Sequence, residues 1–163
     1  MRRRSLFSLI FCLAWATPVV AQRAPIVVYV VRHAERAEDG TNDPPISADG
    51  ERRARLLAAM LRDSGITHIY TTDYLRTRAT AAPIARDAGL VPYVYDPGEP
   101  AALAGRLRAT PGRHLVVGHS NSVPDLVVAL GGDPHGEIAQ DEYDRLYVLT
   151  LASDAVTTVL LRF

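Results

Sequence analysis

Three short polar groups in this chain carry residue types that suit one chemistry. Arg32-His33 leave an apolar run directly, Thr71-Thr72-Asp73 stand just ahead of Arg76, and Gly118-His119-Ser120-Asn121 close another apolar run. Two histidines and two arginines brought together make little sense as packing and good sense around a phosphate. Arginine grips an oxyanion with a planar fork and keeps its charge, so it holds the anion without competing as a base. A histidine kept neutral among such cations can attack phosphorus, because neighbouring positive charge disfavours its protonated form. Helix starts after Arg32-His33 and after Gly118 would add backbone N–H donors.

The elements around these groups must bring them together. Ile26-Val27-Val28-Tyr29-Val30-Val31 is continuously apolar and mostly β-branched, which reads as a central strand buried on both faces. A turn-rich loop follows from Glu38 to Pro45. Ser47 is placed to cap a helix running to about Asp63, with Ala54, Leu57 and Leu61 on one face and Gly65 ending it. Ile66 to Thr71 reads as a strand, and Leu75 to about Ala88 as a helix in spite of Pro83. Val91 to Tyr95 is a short strand, Pro100 to Arg108 a short helix, and His114 to Val117 a further buried strand. A helix near Val123 to Leu130 carries Pro124 in its first turn. Arg145 to Leu151 and Ala155 to Arg162 form a closing hairpin that turns at Ser153-Asp154. Strands alternating with helices predict an α/β fold, a three-layer sandwich with a mostly parallel central sheet flanked by helices. In such sheets ligands bind beyond the carboxyl ends of the strands, where all three polar groups fall.

Composition narrows the function further. The chain has 163 residues, which suits one domain with a single core. Its 18 basic and 18 acidic residues exclude a basic nucleic-acid module and an acidic disordered tail. Every basic residue is arginine, so there is no lysine for a Schiff base or a P-loop. Residues 1–21 read as a signal peptide, with Arg2-Arg3-Arg4 as the positive region, an apolar stretch from Leu6 to Trp15, and a cut near Ala21. That stretch is too short for a stable membrane span. Large Phe11 before Cys12, the only cysteine, argues against a lipid anchor. A periplasmic or secreted domain over residues 22–163 is the expectation, with no disulfide to staple it. Without the three leading arginines, 15 basic residues face 18 acidic ones.

The motifs together resemble the histidine phosphatase superfamily, in its phosphoglycerate mutase-like branch. Val31-Arg32-His33-Ala34-Glu35 is similar to the signature that follows strand one in that family. Thr71-Thr72 through Arg76 to Thr80-Ala81 resembles its second motif, and Val116-Val117-Gly118-His119-Ser120 its third. Pro45-Ile46-Ser47-Ala48-Asp49-Gly50 is similar to the start of its first helix. The resemblance runs in order through nearly the whole of residues 22–163. It implies that His33 is the nucleophile that becomes phosphorylated, and that Arg32, Arg76 and His119 complete a phosphate pocket, with Ser120 as a further substrate contact. Arg78 is the alternative to Arg76, although the Thr80-Ala81 pair aligns Arg76. Many relatives also protonate the leaving oxygen with a Glu between the second and third motifs. The carboxylates here in that interval are Asp87, Asp96 and Glu99, of which Glu99 comes first and Asp96 second. Glu35 either contacts substrate or pairs with Arg36 or Arg52. His68, His114 and His135 belong to no motif and read as structural or solvent-facing. Asn121 and Ser122 suit a ligand contact or a turn and helix cap equally.

Other readings fit less well. Gly118-His119-Ser120-Asn121-Ser122 comes close to a serine-hydrolase elbow but lacks its final glycine. The one later histidine, His135, is also too near Asp133 to complete a triad. Metal-ligand spacing is missing, so neither a metal nor another cofactor is expected. A non-catalytic phosphate-binding module and a mutase-type phosphotransferase remain the alternatives to a phosphatase acting on small phosphomonoesters or phosphoproteins.

Overall fold

The computed structural model describes residues 26–153 and 155–163, so the expected signal segment and Asp154 lie outside the described residues. The elements are β1 (Ile26–Arg32), α1 (Ala48–Leu61), β2 (His68–Thr71), α2 (Leu75–Ala88), β3 (Tyr93–Val94), α3 (Pro100–Ala109), β4 (Arg113–Gly118), α4 (Ser122–Ala129), β5 (Arg145–Leu151) and β6 (Val156–Arg162). One six-stranded sheet has the order β3-β2-β4-β1-β5-β6. Strands β1 to β4 pair in parallel, while β5 runs antiparallel to both β1 and β6. The sheet is thus mixed, with its parallel part holding the three polar groups.

Both faces of the sheet are covered, as the unbroken apolar run of β1 requires. On one face Leu57 and Leu61 of α1 and Ala81 and Ile84 of α2 pack on Val31, Ile69, Leu115 and Val117. On the other, Leu103 and Leu107 of α3 and Leu126 and Val127 of α4 pack on Val28, Val30, Val116 and Tyr147. The chain leaves β1 toward the first face and β4 toward the second, although β1 and β4 are neighbours. Their carboxyl ends therefore flank a crevice at a switch in the direction of the connections.

Local chemistry explains most element boundaries. The Ser47 side chain accepts from Gly50 N, capping α1 as expected. Gly50 must itself be glycine, since a Cβ there would run into the carbonyl oxygen of Glu35. Helix α2 keeps Pro83 inside it and ends at Gly89 with φ 65°. Two expected strands are shorter in the structure. β2 begins at His68 rather than Ile66, and β3 keeps only Tyr93 and Val94 as a short edge. Pro92 has no N–H to offer a ladder, so the edge cannot extend back toward Val91.

Candidate functional site

The carboxyl ends of β1, β2 and β4 open into a cleft of about 620 Å³ lined by Arg32, His33, Tyr74, Arg76, His119 and Ser120 among others. All four residues expected to hold and attack a phosphate are in it. His33 N donates to Gly118 O at 2.9 Å, tying the end of β1 to the end of β4. Ala34 N donates to Thr80 Oγ1 at 2.9 Å, and that hydroxyl donates to Arg76 O at 2.7 Å. Thr80 thereby fastens the start of the Arg32-His33 loop to the first turn of α2, which is what places Arg76 opposite His33.

The state of His33 follows from its neighbours. A carbonyl only accepts, so the 2.8 Å contact of Nδ1 with Ala34 O puts the proton on Nδ1 and leaves the lone pair on Nε2. Burial first, then the positive character of His119, Arg32 and Arg76, hold the imidazole down to about 3, and it is neutral at pH 7. His119 is held to about 4, chiefly by burial and then by Arg76 and Arg32. The two rings meet edge to face with centroids 5.3 Å apart. His119 Nε2 shares a 2.9 Å hydrogen bond with Thr72 Oγ1, which lies 3.0 Å from Thr77 Oγ1. His119 N donates to Ser122 Oγ at 3.0 Å. The second motif therefore supplies one arginine to the cleft and a pair of threonines that set the plane of a histidine.

Each arginine lies over a tyrosine face. The Arg32 guanidinium sits 3.9 Å from the centre of the Tyr143 ring, and that of Arg76 4.3 Å from Tyr74. Arg32 Nη1 donates to Ala139 O and Glu142 O, both at 2.8 Å. Its Nε is buried with no hydrogen-bond partner among the described residues. Asp43 accepts from Leu75 N at 3.0 Å and stands 3.3 Å from Arg76 Nη1, so one carboxylate caps α2 and steadies the arginine.

Other expected residues fall in more and less central places. Ser120 and Asn121 line the cleft, whereas Ser122 is buried as the acceptor of His119 N. Arg78 pairs with Asp73 at the surface and does not line the cleft, which leaves Arg76 as the arginine of the second motif. Glu35 pairs with neither Arg36 nor Arg52. Arg53 of α1 holds it instead, with Nε donating to Oε1 at 2.8 Å and to Oε2 at 3.0 Å. Glu99 is exposed at the start of α3, and neither it nor Asp96 lines the cleft. The reason is local: Asp96 Oδ1 accepts from Gly98 N at 2.8 Å, and the resulting turn leaves only Pro97 of this loop at the cleft wall. The carboxylates that do line it are Glu38 and Asp141. Tyr74, Asp43, Asp141 and Tyr143 are site residues that the sequence does not mark as such. Their only sequence signal is proximity to a motif for Tyr74, and none for the other three.

His114 and His68 stack 5.0 Å apart at the opposite end of the sheet, and His114 Nε2 donates to Thr110 O at 2.9 Å. Among the described residues no cluster of three or more His, Cys, Asp or Glu side chains could hold a metal ion.

Residues 28–98 match the model of the histidine phosphatase superfamily (branch 1). A probable phosphoglycerate mutase GpmB of Serratia proteamaculans (strain 568) is 46% identical over 68 residues, which are 38% of this chain and 32% of that protein. The match thus spans about a third of the length of such curated relatives. Among solved structures, the protein histidine phosphatase SixA complexed with tungstate superposes with a TM-score of 0.68 at 23% identity, over 83% of this chain and 96% of that one. A putative alpha-ribazole-5'-P phosphatase from Escherichia coli str. K-12 superposes with a TM-score of 0.70 at 15% identity, over 85% and 97% of the two chains. These likenesses to solved structures show a shared fold. Over residues 28–98 this chain is similar to the histidine phosphatase superfamily, and its fold is one that solved phosphatase structures share.

Proposed function

We propose that this protein is a metal-independent phosphatase that hydrolyses phosphomonoesters, or phosphoryl groups on protein, through a covalent phosphohistidine on His33. The observation that carries the reading is a neutral His33 whose Nδ1 proton is spent on Ala34 O, in a cleft shared with Arg32, Arg76 and His119. In the first step His33 Nε2 bonds to phosphorus and the ester P–O bond breaks, the leaving oxygen taking a proton from solvent water. Arg32 and Arg76 offset the charge on the transferring phosphoryl oxygens, and neutral His119 lines the pocket beside them. In the second step water attacks the phosphohistidine, the P–N bond breaks, and inorganic phosphate and neutral His33 are released.

Hydrolysis is favoured over phosphoryl transfer between two hydroxyls of one substrate, which calls for a pocket that retains a doubly phosphorylated intermediate. The cleft here is wide, with polar residues such as Asn121, Gln140 and Asp141 at its walls. An exported location, after removal of residues 1–21, places the substrate outside the cytoplasm. Mass spectrometry of protein purified from cells should then show a chain beginning at or near Gln22.

The test is steady-state release of inorganic phosphate from an aryl phosphate by the chain from Gln22 onward. Release should persist in EDTA and stop with vanadate or tungstate. Activity lost on chelation and restored by a divalent ion would replace this reading with a metal mechanism. Transfer of the phosphoryl group to a second hydroxyl, in place of its release, would make the protein a mutase.

A further inference from the structure

The residues between α4 and β5 form no helix or strand, yet they hold Arg32, one of the arginines that line the cleft. Arg145, the first residue of β5, is buried beneath this loop and works as its hub. Its Nη1 donates to His135 O at 3.1 Å, Gly136 O at 3.2 Å and the Tyr147 hydroxyl oxygen at 3.0 Å, and its Nη2 to Glu137 O at 2.9 Å. Glu142 completes the set. Its Oε1 accepts from Arg145 Nε at 2.6 Å and its Oε2 from Arg145 Nη2 at 2.9 Å, a bidentate pair. The same carboxylate accepts from Ala139 N at 3.1 Å and from Arg162 Nη1 at 2.7 Å.

The carbonyls of Ala139 and Glu142 are the two that hold Arg32 Nη1, and Tyr143 is the ring beneath its guanidinium. Among the described residues, the side-chain hydrogen bonds and the ring contact of the Arg32 guanidinium thus come from a segment whose own shape depends on Arg145 and Glu142. A loop without a regular hydrogen-bond ladder keeps one shape only if something else pairs its carbonyls. Here one guanidinium pairs a run of them.

We propose that Arg145 and Glu142 are positioning residues for phosphate binding, which act through Arg32 by fixing the loop that aims it. They touch neither substrate nor the reacting atoms. A lysine at 145 has too few donors, in the wrong geometry, to bridge Glu142 and the loop carbonyls together. Arg32 would then keep its charge and lose its direction. The inference rests on the phosphatase reading above, because it concerns how the same cleft holds a phosphoryl group.

The test is a double-mutant cycle on the chain from Gln22 onward, combining Arg145→Lys with Arg32→Ala. Two readouts are taken: orthovanadate affinity by calorimetry, and kcat/KM on an aryl phosphate. In the wild-type background Arg145→Lys should weaken vanadate binding and lower kcat/KM by about tenfold, a coupling of the size adjoining groups show. In the Arg32→Ala background the same change should cost less than about threefold. Glu142→Gln keeps the size and loses the charged pair, so it should reproduce the pattern in a smaller form. It serves as the primary variant if Arg145→Lys does not fold, as judged by thermal melting. Equal losses in both backgrounds would make the pair a purely structural element and overturn the proposal, as would no loss in either. Wild-type protein that neither binds vanadate nor turns over the ester would instead remove the phosphatase reading itself.

Discussion

Acidification should destabilise this protein through His33 by an amount that can be worked from its site. The imidazole falls from an ordinary 6.5 to about 3 on folding, first because it is buried and then because His119, Arg32 and Arg76 face it. Between those two values the unfolded chain binds a proton that the folded chain refuses, so stability rises with pH there and is lost as pH falls below about 6.5. Each pH unit in that window is worth about 1.4 kcal/mol. Moving from about pH 7 to about pH 5 should therefore remove about 2 kcal/mol through this one residue. The assay is urea unfolding at both pH values for the wild type and for His33→Gln, whose side chain does not titrate. His114 and His119 contribute to both proteins and cancel in the comparison. The variant should lose about 2 kcal/mol less than the wild type on acidification. Equal losses, or an imidazole resonance of His33 that titrates near 6.5, would refute the reasoning about its burial and its cationic surroundings.

Three further outcomes follow from the cleft. Arg76→Ala should lower kcat on an aryl phosphate by about 10²–10³, the usual cost of removing a preorganised charge stabiliser, and steady-state kinetics would show whether the loss stays below tenfold. Glu99→Gln should leave kcat on aryl and alkyl phosphates within about threefold of wild type, because Glu99 stands outside the cleft and general acids are worth far more than that. A loss confined to the alkyl substrate would return the acid role to Glu99. Asp43→Ala removes the cap on α2 and should cost about 0.5–2 kcal/mol in urea unfolding, together with weaker vanadate binding through Arg76.

What the sequence made legible was set by local pattern. β1 and β4 are buried on both faces, so their apolar runs stand out, and the polar groups that end them are unmistakable. Ser47, Gly50 and Gly89 mark helix ends by chemistry confined to a few residues. The apolar character of Val91 to Tyr95 suggests a longer strand, whereas Pro92 and an edge position limit β3 to Tyr93 and Val94. The partner of Glu35 is illegible in the sequence for another reason. Arg53 reaches it from α1 because Glu35 O and Ser47 N bond at 2.8 Å, a tertiary contact that brings the helix start against the loop. Least legible was the segment before β5. Its residues have no hydrophobic period, and Tyr143 acquires its place under Arg32 only because Arg145 gathers the loop from beneath.

The central claim is that His33 itself carries the phosphoryl group, and rapid quenching with labelled substrate tests it most directly. Quenching without acid should trap a phosphoenzyme that is stable to alkali and labile to acid, with the label mapping to the peptide that contains His33. His33→Ala should give no trapped label and almost no turnover. Label found on His119 or Ser120, or near wild-type turnover by His33→Ala, would contradict the account.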